Sequence, residues 1–256
     1  MINALTVAGA IVCILIATPA LAQRMTLRGD PVEGRIIYHS AAVRANGLSC
    51  YDCHSDFDEK REKDGLIRSG HSLYNAARRG AFWGQDPKSP NVYPDIAHAA
   101  VVCVEHFMLS PYKLTAQQLL SLQLYLLSIN RLSDTPALAL ASGADKTGEY
   151  ARFDGGDRIR GRQLFYAACH VCHPNGKAGI APVALATDKD PSYYARTIRE
   201  GDGLGAVLAG IDPNAYDPKS GKFMPFFGAD ILTNRDIRDL IAHIKSIPSA
   251  PIATPR

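Results

Sequence analysis

The chain has 256 residues, 46% hydrophobic and 21% charged, which is enough for one large or two small packed domains. Its 28 Lys and Arg nearly balance 25 Asp and Glu, for a formal net charge of +3. No basic arm or stripe is present in the sequence, so nucleic acid is not an expected partner.

The first 22 residues carry no charged side chain, and residues 4–17 are almost wholly small or apolar. The run ends in Ala20-Leu21-Ala22 before Gln23. An apolar core followed by a small-x-small site reads as a secretory signal peptide. An uncleaved anchor is the alternative, but the run is short for a bilayer span. The expectation is a protein of the periplasm, not integral to the membrane once residues 1–22 are removed.

Next comes Gly29-Asp30-Pro31-Val32-Glu33-Gly34-Arg35-Ile36-Ile37-Tyr38. It is repeated later as Gly156-Asp157-Arg158-Ile159-Arg160-Gly161-Arg162-Gln163-Leu164-Phe165, with Gly-Asp, Gly-Arg and the aromatic at the same offsets. Asp is a good helix N-cap, so each copy predicts a helix. Each copy leads into a CxxCH motif, Cys50-Tyr51-Asp52-Cys53-His54 and Cys169-His170-Val171-Cys172-His173. The spacing has a chemical reason: two thiols two residues apart can add to the two vinyl groups of one porphyrin. The adjacent histidine then sits under the iron, which makes this the attachment pattern of c-type haem. Zinc ribbons also pair two CxxC motifs, but with only ~15–20 residues between them. Here the separation is far larger, and the expectation is two covalently bound haem c groups.

Within the first half, Asp56 to Asp64 reads as a charged, solvated loop, and His71 and His98 as surface or hydrogen-bonded residues. Arg78 and Arg79 are candidates for haem propionates, for an anionic substrate, or for a solvated face. Trp83 is expected to pack near the haem. Leu114-Thr115-Ala116-Gln117-Gln118 opens a leucine-rich helix to Ile129, with the capping-box spacing of Thr115 and Gln118. Residues 133–152 lack a sustained pattern and read as a linker. The second half ends alike: Thr233 and Asp236 open a helix carrying Ile237, Leu240, Ile241 and Ile244. The expected organisation is a signal peptide (1–22), a first domain (23–132), the linker (133–152), a second domain (153–248) and a Pro- and Ala-rich tail (249–256).

A helix before the haem site and another at the end of each half resembles the class I cytochrome c fold, in tandem. The resemblance implies an all-α protein of two small domains around two haems, with a redox partner protein as donor or acceptor. His54 and His173 become the proximal iron ligands. Met224, in Lys222-Phe223-Met224-Pro225-Phe226-Phe227-Gly228, is similar to the distal-ligand loop of that fold. Pro182 resembles the proline whose carbonyl holds the proximal histidine.

Six cysteines occur. Cys13 lies in the leader, four lie in the two motifs, and Cys103 is left over. No Met-Pro occurs in the first half, where Cys103, His106 and Met108 are the distal candidates. His106 holds the position that matches Met224 in the repeat, and Met108 is the ordinary choice by chemistry. Cys103-x-Glu105-x-x-Met108 before a leucine-rich helix resembles diheme thiosulfate dehydrogenases. Cys103 followed by Pro111-Tyr112 is similar to the A subunit of the SoxAX cytochromes. Both resemblances imply Cys103 as distal ligand, and they carry a second expectation: oxidation of a small sulfur anion at the first haem, with Cys103 catalytic. The stretch Pro87 to Pro94 departs from the arginine- and glycine-rich pattern of the thiosulfate enzymes.

Overall fold

The computed structural model describes residues 28–40, 47–80, 82, 93, 95–136, 138, 140–181, 183–217 and 224–248. The leader with Cys13, Trp83, the 87–94 stretch apart from Tyr93, Pro182 and the tail lie outside the described residues. The helices are α1 (Pro31–His39), α2 (Cys50–Cys53), α3 (Ile96–Val102), α4 (Ala116–Ser128), α5 (Arg158–Ala168), α6 (Pro191–Glu200), α7 (Leu204–Leu208) and α8 (Asn234–Ile244). A π-helical turn, Cys103–Phe107, continues α3. Among the described residues no β-strand forms, only two isolated bridges, Arg79 with Thr135 and Phe82 with Tyr93.

Two helix pairs organise the chain, α1 against α4 and α5 against α8. The first helix of each pair starts on the aspartate of the repeat: Asp30 accepts from Val32 N–H, and Asp157 from Ile159 and Arg160 N–H. The second starts on a reciprocal capping box, Thr115 with Gln118 and Thr233 with Asp236. Such caps contribute about 1 kcal/mol each. The glycine of each repeat marks the crossing. A Cβ on Gly34 would fall 2.0 Å from the Ser121 carbonyl oxygen, and one on Gly161 would fall 1.8 Å from that of Asp239. Only glycine lets the two backbones touch there.

Each crossing is also pinned by polar groups at corresponding positions. Ser121 Oγ accepts from Asp30 N–H at 3.0 Å and donates to Glu33 at 2.7 Å. In the second pair Asp239 accepts from Asp157 N–H at 2.7 Å, and Arg160 pairs with Asp236 and Asp239. The carboxylate is on the first helix of one pair and on the second helix of the other. One turn beyond each glycine the repeated aromatic, Tyr38 or Phe165, is wholly buried.

Three apolar clusters result. One joins Tyr38, Phe82, Ile96, Leu122, Tyr125 and Leu126. A second gathers Phe165, Tyr194, Ile198, Phe227, Leu240 and Ile241. The third is shared between halves: Leu48, Val104 and Met108 pack with Cys172 and Ile180.

The stretch 133–152 is not wholly free of the cores: among its described residues Thr135 and Ser142 are buried, and Tyr150 enters the second core with its hydroxyl on Glu200 at 2.8 Å. One buried aromatic ring outweighs the polar composition around it. Nor is Asp56 to Asp64 simply solvated. Asp56 accepts from Tyr125 and pairs with His39, while Asp64 accepts from Tyr51 and pairs with Arg68.

Gly34→Ala and Gly161→Ala are each expected to lower stability by about 1–3 kcal/mol in urea denaturation, as overpacking does. At an unhindered helix position the same change would stabilise, so the sign reports the crossing.

Candidate functional site

The first CxxCH lies on the wall of a largely apolar cavity. Ser49 and Asp52 form a capping box that starts α2. One helical turn then puts Cys50 and Cys53 on the same side. His54 ends the turn in an extended conformation (φ −136°, ψ 130°). The repeat aromatic fixes this end, for Tyr38 Oη donates to the His54 carbonyl at 2.7 Å. His54 Nδ1 donates to the His71 carbonyl at 2.7 Å, which leaves Nε2 as the ligating nitrogen. Gly70 makes this possible: a Cβ there would lie 2.2 Å from the imidazole Cε1.

Cys50, Cys53, His54, Cys103 and Met108 all line this one cavity. Cys103 opens the π-helical turn, whose Met108 N–H reaches the Cys103 carbonyl at 2.8 Å. Such turns are frequent at functional sites. Of the three distal candidates, Cys103 and Met108 therefore face the cavity, and the His106 side chain lies outside the described residues. The remaining wall is apolar, with Leu73, Phe82, Ile96, Ala99, Leu122 and Leu126 from the first half. The second half closes it with Asp202, Leu204, Pro225 and Phe226. Arg79 also lines it. Its Nε is buried without a hydrogen-bond partner among the described residues, and burial pulls its pKa down. Arg78 is exposed.

The second CxxCH follows α5 directly. The N–H groups of Cys169 and His170 reach the Phe165 carbonyl at 2.8 and 3.0 Å, and His173 N–H reaches that of Cys169 at 2.9 Å. His173 Nδ1 is buried and has no partner among the described residues. Pro182, expected to hold it, lies outside them. His170 stacks on Tyr166 and accepts from Asn175 N–H at 3.2 Å, a surface arrangement. Met224 is half-buried, and its carbonyl accepts from Asp202 N–H at 2.9 Å.

Burial shapes the chemistry of both motifs. It holds the His54 and His173 imidazoles below their usual pKa, which favours the neutral, ligating form. It pushes the Cys53 and Cys169 thiols up to about 12 and Cys172 to about 11, with the nearness of Cys172 adding to the effect on Cys53. Burial likewise raises Cys103. Such surroundings penalise thiolates, whereas thioethers carry no charge and suit an apolar wall. Among the described residues no group of three or more His, Cys, Asp and Glu converges on a metal position. The first cavity instead combines a CxxCH turn, a tied imidazole cradled by a glycine, an apolar wall and the guanidinium of Arg79. That set fits a flat apolar macrocycle bearing carboxylates.

The cytochrome c family matches residues 159–248. This part of the chain is a cytochrome c domain, which carries covalently bound haem c and serves electron transfer with a redox partner. No curated protein matches the chain. No described helix is long and apolar enough to cross a membrane.

Sequence reasoning read His71 as a surface or hydrogen-bonded residue, which its bond to Asp230 matches, but foresaw neither its carbonyl on His54 nor the second-half residues in the first cavity. A backbone carbonyl has no side-chain signature, and a wall contributed from more than 120 positions away has no local one.

Gly70→Ala is expected to displace the His54 ring and to reduce the covalently bound haem per chain, read as the haem-to-protein absorbance ratio. An unchanged ratio and spectrum would mean that the cradle tolerates a methyl group.

Proposed function

We propose that the chain is an exported diheme cytochrome c that carries electrons between redox partners, with a first haem domain preceding the matched one. The observation that carries this reading is the first cavity, where CxxCH, a tied imidazole and Cys103 share one apolar space. The recurrence of the glycine crossing, the aspartate cap and the buried aromatic in both halves supports it.

In this reading Cys50 and Cys53 attach the first haem, and His54 and Cys103 are its iron ligands. Cys169 and Cys172 attach the second, ligated by His173 and Met224. Each haem supplies a one-electron carrier. The protein sets its potential through the ligands, hydrogen bonds and burial. Anionic sulfur at Cys103 favours ferric iron and a lower potential, while Met224 raises that of the other site. Axial ligands can move such potentials over roughly 0.8 V, so the order favours electron flow from the first half to the second. Cys103 must lose its proton to ligate, against the pull of burial, and the ferric charge is what can offset that cost. Arg79 is suited to a haem propionate. Residues 1–22 would direct export to the periplasm.

A second reading keeps the same ligands and adds oxidation of a small sulfur anion such as thiosulfate at the first haem. The Arg79 guanidinium in the cavity that holds Cys103, with its Nε buried and without a partner among the described residues, favours it as a place for an anion.

Intact mass spectrometry of the mature protein is expected to give two covalent haems per chain, and one haem would refute the diheme reading. Cys103→Ala is expected to change one low-spin ferric EPR signal, leave the other, and raise one midpoint potential. Unchanged spectra would assign the distal position to Met108 or His106. Mixing the oxidised protein with thiosulfate separates the two functional readings. Catalytic tetrathionate formation with an added acceptor would establish the enzyme, and no haem reduction would leave the carrier.

A further inference from the structure

We propose that Asp230, a residue of the second half, is a positioning residue for His54 of the first haem site, acting through His71. The inference rests on the diheme reading above and adds a link between its two sites.

The link is a chain of two hydrogen bonds. His54 Nδ1 donates to the His71 carbonyl at 2.7 Å. The His71 ring reaches across to the second half, with Nε2 at 2.7 Å from Asp230 Oδ2. A carboxylate can only accept here, so His71 donates. Gly70 lies flat against the His54 ring, where no Cβ fits, and its N–H is tied to the Cys53 carbonyl at 3.0 Å. Asp230 anchors the next residue from outside.

Asp230 is itself well founded. Ala229 N–H reaches the Ala141 carbonyl at 3.2 Å, and the Gly228 carbonyl accepts from Ile231 and Leu232 at 3.1 and 3.0 Å. The Phe227 carbonyl accepts from Arg199, which is wholly buried and also holds Asn234 at 2.8 Å. The second core thus sets where Asp230 stands.

The effect follows from ligand chemistry. A firm N–H···O bond at the far nitrogen of an iron-bound imidazole orients the ring and raises its basicity. A more basic ligand favours ferric iron and lowers the potential. Loosening the His71 carbonyl therefore raises it. His71 and Asp230 are 25% and 49% exposed at their side chains, so the pair adds little to stability. Its effect is to be sought in the potential of one site. The arrangement also makes one segment serve both sites. Met224, the proposed distal ligand of the second haem, is followed by Pro225 and Phe226 on the wall of the first cavity, and then by Asp230 on His71.

The test is a redox titration of the full-length protein, with each haem followed by its own EPR signal and covalent haem counted by mass. Asp230→Ala should shift the first-haem potential upward and leave the second in place. His71→Ala keeps the carbonyl but removes the ring, and should give the same upward shift; it reads the link independently if Asp230→Ala does not fold. Asp230→Asn retains an accepting oxygen without the charge and should stay near the parent value. Equal shifts for Asp230→Ala and Asp230→Asn would reduce the effect to charge and overturn the proposal. So would equal shifts of both haems, or none in a protein bearing two. A mass showing haem at the second motif alone would instead overturn the diheme reading, and this inference with it.

Discussion

Everything in this molecule is arranged around the backbone contact of two helices at a glycine. At Gly161 the α5 and α8 backbones meet with no space for a methyl group, and at Gly34 the α1 and α4 backbones do the same. Such close approach leaves the paired helices little freedom to shift, because close-packed interiors transmit strain. The consequences run directly to the CxxCH motifs. In the first half the crossing buries Tyr38, whose hydroxyl holds the carbonyl of His54. In the second, buried Phe165 lends its carbonyl to the N–H groups of Cys169 and His170. The residue one turn past the glycine thus places the motif in both cases, once by a side chain and once by the helix end.

The two halves are not beads on a string. A wall of the first cavity comes from Leu204, Pro225 and Phe226, and the segment 138–140 adds Leu138 and Leu140. Cys172 of the second motif packs with Leu48, Val104 and Met108, and Ile67 N–H bonds to the Ala167 carbonyl at 2.9 Å. Phe107 stacks on Tyr216 with ring centroids 6.4 Å apart. Burial of this kind makes the relative position of the halves part of the fold, and it brings the two CxxCH motifs close together. The shared apolar cluster of Leu48, Val104 and Met108 with Cys172 is what holds the two motifs near each other.

Several polar groups are buried inside, and most of them hold backbone or side-chain partners. Arg199 spans the turn between α6 and α8 through Phe227 and Asn234, and burial lowers its pKa. Among the described residues, Arg79 Nε in the first cavity and His173 Nδ1 have no partner. Unsatisfied buried groups are costly. Their presence where a charged or ligating cofactor edge is proposed gives them a physical purpose.

The sequence alone determined a good deal. The CxxCH spacing, the repeat of Asp30 and Gly34 in Asp157 and Gly161, and the Thr115 and Thr233 capping boxes are local signals, because their chemistry acts within a turn of helix. They named the candidate attachment residues and the paired helices, and the family resemblance they carry implied the all-α class. The surplus of Cys103 over two complete motifs singled out that residue by arithmetic. Only the tertiary structure decided the rest: that Cys103 and Met108 face the cavity of His54, that Thr135, Ser142 and Tyr150 of the 133–152 stretch are buried, that Asp56 and Asp64 are structural partners. It alone showed that a backbone carbonyl at His71 holds His54 and that Asp230 holds His71. These depend on contacts between residues distant in the chain, many through backbone atoms that every amino acid carries. Residue identity says nothing about such contacts until the helices have crossed.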